Sequence, residues 1–379
     1  MQKHRIGLVG TGFIARGLLL LLSSMPDMEV TAVLTRRKLN ECTEVPLPHV
    51  LTNSIQELLA KSDLIVECSG DVIHATGVIA KAMEAALPVV TMDAELQVTT
   101  GSFFVSKGYI TEAEGDQPGC LAALKANVES MGFKPLVYGN IKGFLNLNPP
   151  LEDMLYWGKR SGISLQMVTS FTDGTKVQIE QALVANGLGT GIAKDGLLGT
   201  AAEDLQEGAE VLAAEAKRLG KPIADYLLSA KSPPGVFITA EHDERQKDAL
   251  AYFKMGKGPF YTLLQPYHLC HLEVVKTIRR TLLGEAPLLN NSASPKISVA
   301  AVAKRALTPG TVIKKGIGSF DVRGIAVDIA ANPNHIPIGL LSYAVVKEHI
   351  EPGQILQFRD VDIPDSLASL AWQDIMKKN

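Results

Sequence analysis

The sequence predicts an α/β protein in three parts: an N-terminal doubly wound parallel sheet over 1–140, an α+β middle domain over 141–292, and a small β-rich domain over 293–379. Three observations predict it. Short apolar runs alternate with amphipathic ones through the first third of the chain, the pattern of strand–helix–strand units. A Gly-x-Gly-x-x-Ala stretch joins the first strand to the first helix. Two copies of a Pro-Gly pattern mark the tail.

Composition bounds the function. A chain of 379 residues that is 46% hydrophobic has material for two or three cores. The net charge of -3 and an aromatic content of 6% give no reason to expect nucleic acid or an anionic membrane as partner. Cys42, Cys68, Cys120 and Cys270 are scattered without a CxxC pair, which argues against structural zinc and disulfides and suits a reducing compartment. The run Leu18–Leu22 ends at Ser23-Ser24, too short for a bilayer span and not preceded by a basic leader. A soluble cytoplasmic protein is expected.

The elements follow in order. His4 to Val9 reads as a strand that enters Gly10-Thr11-Gly12-Phe13-Ile14-Ala15 and then a leucine-rich helix. Gly10 permits the tight turn, Gly12 lets the backbone approach a pyrophosphate, and Ala15 keeps the helix close to the sheet. The unpaired amides at the helix start bind anionic oxygens. In this context the stretch predicts a Rossmann domain that holds a dinucleotide. Glu29–Thr35 is a second strand, and Ser54–Lys61 a helix capped by Ser54. Asp63–Cys68 is a third strand, closed by the small turn Cys68-Ser69-Gly70. Val72–Ala86 is a helix, and Leu87–Thr91 a buried strand followed by Met92-Asp93. Ligands of such sheets lie at the carboxyl ends of the strands, so Cys68, Ser69, Gly70, Met92 and Asp93 are expected to line the cofactor.

The end of the second strand speaks to the cofactor. An NAD site usually carries a carboxylate there for the ribose 2′-hydroxyl; this chain has Thr35-Arg36-Arg37. A hydroxyl and two guanidinium groups suit a 2′-phosphate, so NADP(H) is expected.

Tyr109–Glu114, a turn at 115–119, a helix over Cys120–Met131 and a strand ending near Gly139 are read as completing the nucleotide domain. Past Asn140, Asn146, Asn148, Pro149 and Pro150 mark a boundary. The stretch Ser170 to Glu180 reads as strand, turn and helix start, with Lys176 and Glu180 four apart and so on one helix face. On an exposed helix they would be a solvated ion pair. Facing a pocket, Lys176 would move a proton to or from a substrate oxygen, tuned by Asp173 or Glu180. Lys142, Lys176, Asn186, Tyr267 and His268 are expected to converge in one pocket for a small-molecule substrate. His268 and His271 could in principle share a divalent metal, but no third ligand stands nearby, so no metal site is assigned.

Several segments together resemble a known family. They are Gly10-Thr11-Gly12, Val89 to Glu95, Glu114-Gly115-Asp116-Gln117-Pro118-Gly119, Asp173-Gly174-Thr175-Lys176 with Glu180 and Ala185-Asn186, Ser232 to Phe237, Gly256-Lys257-Gly258-Pro259 and Pro266-Tyr267-His268-Leu269. In this order they resemble homoserine-dehydrogenase-like oxidoreductases with a C-terminal SAF domain. The resemblance implies an NADPH enzyme close to the 1-deoxy-D-xylulose 5-phosphate reductoisomerase-like branch of isoprenoid biosynthesis. Gln265 stands where that branch tends to have Arg, and Gly139-Asn140-Ile141-Lys142-Gly143 where it has Gly-Lys-Gly-Lys-Asn. A homoserine-type dehydrogenase of a non-phosphorylated hydroxy acid or amino alcohol therefore stays open, as does an NADP-binding sensor without turnover.

In the tail, Ala303 to Ile313 and Val346 to Leu356 each place Pro-Gly between apolar stretches. Pro-Gly favours a type II turn, so a small β-rich, SAF-like module is expected, serving packing and homo-oligomer formation or acting as a lid.

Overall fold

The elements of the chain were located in a computed structural model, which describes residues 3–378. In chain order the first part runs β1 (His4–Val9), α1 (Phe13–Ser23), β2 (Met28–Leu34), β3 (Leu51–Thr52), α2 (Ile55–Ala60), β4 (Leu64–Glu67), α3 (Val72–Glu84), β5 (Val89–Thr91), α4 (Ala94–Leu96), α5 (Ser102–Val105) and β6 (Ile110–Glu112). Next come α6 (Gln117–Ser130), β7 (Lys134–Lys142), α7 (Leu151–Ser161), α8 (Leu165–Thr172), α9 (Thr175–Gly187), β8 (Thr200–Ala201), α10 (Leu205–Leu219), β9 (Ile223–Leu228), β10 (Val236–Glu241), α11 (Lys247–Tyr252), β11 (Tyr261–Gln265) and α12 (Cys270–Leu282). The tail holds β12 (Ile297–Ala303), β13 (Val312–Lys315), β14 (Val322–Asp328), β15 (Ser342–Val346), β16 (Val361–Asp362) and α13 (Leu367–Lys378).

The chain forms two compact units rather than three domains in sequence. The first gathers the described residues of Met1–Asp116, Leu269–Ser294 and Asp365–Asn379; the second gathers Gln117–His268 and Pro295–Pro364. Three expectations are corrected. The first boundary falls at 116/117 rather than 140, because β7 pairs with β9 and β10 and takes no part in the first sheet. The segment carrying α12 returns to the first unit instead of closing a middle domain. The tail is not a unit by itself: its strands group with the second unit and α13 with the first.

In the first unit the six strands are parallel and ordered β3-β2-β1-β4-β5-β6, the Rossmann order with its switch point between β1 and β4. Alternation along the strands splits the core in two. Ile6, Leu8, Leu64 and Val66 face α1 and α12, where Leu18, Leu19, Leu22, Val274 and Ile278 are buried. Val9, Ile65 and Val89 face α2 and α3, where Leu58, Ala75, Val78 and Ile79 are buried. The leucine run therefore belongs to an amphipathic helix, with Leu20 on its exposed side. Ser54 caps α2 as expected, its Oγ accepting the Glu57 N–H at 3.2 Å.

In the second unit a mixed sheet runs β11-β10-β7-β9-β8. The expected strand at 170–172 is instead the end of α8. Ser164 caps that helix through the Met167 N–H, which outweighs the β-branched residues that suggested a strand. Asp173 ends α8, and Gly174 at φ +83° turns the chain into α9. In the tail, Gly310 and Gly353 both have left-handed backbone (φ +87° and +83°), as type II turns require. The two copies pair with each other: Leu307 and Ile350 exchange N–H···O bonds of 2.9 Å in both directions. The Gly310 N–H meets the Val346 carbonyl at 2.8 Å, and the Gly353 N–H meets the equivalent Ala303 carbonyl at 2.8 Å. The duplicated sequence thus folds as a pseudo-twofold pair. No helix among the described residues is long and apolar enough to cross a membrane.

Candidate functional site

In the first unit, Gly10 sits at φ +110°, and a Cβ there would come within 2.9 Å of the Cys68 carbonyl oxygen and 3.0 Å of the Ser69 Cα. Only glycine fits. Gly12 begins α1 with no side-chain cap and no acidic residue in the first turn, and a Cβ on it would meet nothing within 4 Å. Open space thus faces uncapped helix amides, the setting that suits a pyrophosphate. Thr11 and Ile14 are half-buried, Ala15 is buried against the sheet, and Phe13 is exposed with its ring edge-on to His271. These residues fit the phosphates of a dinucleotide.

At the end of β2, Thr35 is buried and its Oγ1 accepts the Arg37 N–H at 3.2 Å. The two arginines then part. Arg36 donates to Asp71 Oδ2 at 2.7 Å, while Asp71 Oδ1 caps α3 through the His74 N–H. Arg37 turns away to Glu44 and to the Glu41 carbonyl. Both arginines were expected at a 2′-phosphate; the fork of Arg37 is engaged by its own loop. Arg36 keeps most of its side chain in solvent.

The turns after β4 and β5 carry Cys68, Ser69, Gly70, Met92 and Asp93. Asp93 is buried and caps α4 through the Leu96 N–H. The Cys68 thiol is directed at the Val9 carbonyl, and burial, with Glu67 and Asp93 nearby, pushes its pKa far up. A raised pKa favours the thiol over the reactive thiolate.

In the second unit, α9 is buried on nearly every side, from Thr175 through Asn186. Lys176 and Glu180 are therefore not a solvated pair; they are 8% and 1% exposed. Glu180 Oε2 accepts from Asn140 Nδ2 at 2.6 Å and from Lys142 Nζ at 3.2 Å. Two residues of β7 are thus drawn to the carboxylate one turn beyond Lys176. Asn140, fully buried, was missed as a site residue; a lone polar residue inside an apolar strand was the available signal.

Two expected site residues are placed elsewhere. Asp173 is engaged by other partners: its Oδ2 accepts Lys304 Nζ at 2.6 Å and its Oδ1 the Thr175 N–H. Burial pushes the Asp173 carboxyl up, and the Lys304 ammonium opposes that. Asn186 lies ten residues along the helix from Lys176, about 15 Å at the rise of an α-helix. Its Oδ1 accepts the N–H groups of Lys296 and Ile297, and its Nδ2 donates to the Ile297 carbonyl. Thr175 and Gln178 likewise accept the N–H groups of Gly324 and Ala326. One face of α9 is bound to the tail strands, and Lys176 and Glu180 lie roughly a third of a turn around from it.

His268 is half-buried and meets Gln117 Nε2 through its Nε2 at 3.2 Å; Tyr267 beside it is half exposed. His271 belongs to the other unit, its ring so close to Gly17 that a Cβ there would come within 2.6 Å. Among the described residues no cluster of three or more His, Cys, Asp or Glu could hold a metal ion.

Residues 115–274 match the family described as "Oxidoreductase DRL, catalytic domain". That segment, which spans the whole first stretch of the second unit and a few residues of the first unit at each end, reads as an oxidoreductase catalytic domain, and the protein as an enzyme. The match is neither to homoserine dehydrogenase nor to an SAF domain, and it stops at Val274, before the tail. Among solved structures the chain is similar to a probable dehydrogenase from Thermotoga maritima, at 14% identity and a TM-score of 0.45 over 76% of this chain and 91% of that one. It is also similar to UDP-N-acetylglucosamine 3-dehydrogenase from Acidithiobacillus ferrooxidans, at 12% identity and a TM-score of 0.45 over 77% and 93%. A third is an NAD-binding protein from Listeria innocua, at 14% identity and a TM-score of 0.40 over 76% and 90%. No curated protein matches the chain.

Proposed function

We propose that the protein is an NADPH-dependent oxidoreductase acting on a small hydroxy or keto substrate. The observation that carries this is Glu180: buried one turn beyond Lys176, it holds Asn140 and Lys142 within a segment that matches an oxidoreductase catalytic domain. When bound, the nicotinamide supplies or takes up the hydride. The uncapped start of α1 and the open face at Gly12 hold the pyrophosphate, and Arg36 meets the 2′-phosphate. Lys176 passes a proton to or from the substrate oxygen. Glu180 keeps Lys142 turned towards the same helix face, where its ammonium pairs with an anionic substrate group.

Within that class, the resemblance to reductoisomerase-like enzymes favours a phosphorylated ketose, and Gln265 favours a substrate without phosphate. The test is spectrophotometric NADPH turnover over a panel holding 1-deoxy-D-xylulose 5-phosphate, homoserine, hydroxy acids and polyols in both reaction directions. Turnover of one member that is lost in Lys176→Ala supports the reading. Cofactor binding without turnover of any member would make the protein a sensor instead.

A further inference from the structure

Glu67 ends β4 as a fully buried carboxylate, and Thr91 ends β5 directly beside it in the parallel register. Neither has a part in the reading above. Glu67 Oε1 accepts the Ser69 N–H at 2.7 Å, and Oε2 accepts the Thr91 hydroxyl at 3.1 Å. Thr91 Oγ1 in turn accepts the Asp93 N–H at 3.0 Å. A chain of three hydrogen bonds therefore runs from the turn after β4, through two side chains, to the turn after β5. The Met92 N–H adds a bond to the Glu67 carbonyl at 2.9 Å. The first turn also touches the glycine loop, since Ser69 Cα and the Cys68 carbonyl are what a Cβ on Gly10 would strike.

Stability alone does not call for this arrangement. A carboxylate removed from water and met only by neutral donors costs more to bury than a leucine of similar size. What it secures is geometry: two turns at the carboxyl edge of the sheet, held at one spacing beside the glycine loop.

We propose that Glu67 and Thr91 are positioning residues for the nicotinamide half of the dinucleotide, acting through the turns at 68–70 and 92–93. The proposal rests on the reading of the first unit as an NADPH site. Neither side chain touches the cofactor; each fixes backbone that does. The adenine half, held at α1 and Arg36, is independent of them.

The test is fluorescence titration of the full chain with NADPH, and competition by 2′-phospho-ADP-ribose, which lacks the nicotinamide. The variants are Thr91→Val, Thr91→Ser, Glu67→Gln and Glu67→Leu, with thermal melting run on each. Thr91→Val keeps the shape and removes the hydroxyl, and should weaken NADPH about ten-fold, the effect of losing one or two buried hydrogen bonds. Thr91→Ser should restore wild-type binding within about two-fold, and 2′-phospho-ADP-ribose should bind all folded variants within about two-fold of wild type. Should Glu67→Leu fail to fold, Thr91→Val and Glu67→Gln carry the test. Wild-type NADPH affinity in folded Thr91→Val, or equal losses for both ligands, overturns the positioning role while leaving the cofactor site standing. Absence of NADPH binding in the wild type overturns both.

Discussion

The Asp173 carboxylate and the Lys304 ammonium lie 2.6 Å apart, with side chains 0% and 3% exposed, and Lys304 Nζ also donates to the Ser319 carbonyl at 2.6 Å. This pair joins the turn before α9 to the end of β12. Breaking one side leaves a buried charge alone, so Lys304→Met should destabilise the protein by about 3–5 kcal/mol. Replacing both, Asp173→Asn with Lys304→Met, should recover much of that loss. Urea unfolding midpoints check it: a single variant as stable as wild type would refute the pairing.

Arg36 and Arg37 should behave differently. Arg36→Ala should weaken NADPH by about ten- to hundred-fold, as loss of a charge-assisted phosphate contact does, with NADH nearly unaffected. Arg37→Ala should change either affinity by no more than about two- to three-fold, because its fork already serves Glu44 and the Glu41 carbonyl. Isothermal titration of both cofactors separates the two; equal losses would return Arg37 to the phosphate.

Lys176 and Asn186 share a helix and should differ in role. Lys176→Ala should lower kcat about a hundred-fold or more with cofactor affinity intact. Asn186→Ala should cost about 1–3 kcal/mol of stability, from the orphaned backbone groups of 296–297, and leave kcat within about two-fold. Steady-state kinetics beside thermal melts distinguishes them.

His335 gives the tail a pH dependence. Its ring is buried between the Asn332 carbonyl at 2.6 Å and Ser298 Oγ at 2.7 Å, and burial pushes its pKa below the ordinary value. The unfolded chain then binds the extra proton first, so stability is full above about pH 6.5 and falls as pH drops from there through the lowered folded value. His335→Gln should flatten urea midpoints between about pH 7.5 and about pH 5. An unchanged slope would assign the pH dependence to other groups.

The first unit was legible because its signals are local. Gly10, Gly12 and Ala15 need only their neighbours to be read, and short apolar runs mark β1, β2, β4, β5 and β6; β3, two residues long, is too short to leave such a run and was not read. Lys176 and Glu180 were legible through their spacing. Their burial was not, since a helix buried all round shows no periodic polar face. The ion pair of Asp173 was not foreseen because its partner, Lys304, lies in another segment that no local pattern points to. The returns of α12 and α13 to the first unit escaped for the same reason: an amphipathic helix announces a buried face but not what buries it. The end of α8 over 170–172 was read as strand because Phe171 and Thr172 favour strands, and the Ser164 cap prevailed.

If the first unit holds NADPH as proposed, the wild-type chain binds it in preference to NADH. Parallel titrations of the wild-type chain with NADPH and NADH, followed by ligand fluorescence, test it most directly. Saturable NADPH binding at least about ten-fold tighter than NADH is expected, reflecting the charge-assisted contact at the 2′-phosphate. Equal affinity for the two, or no binding of either, would contradict it.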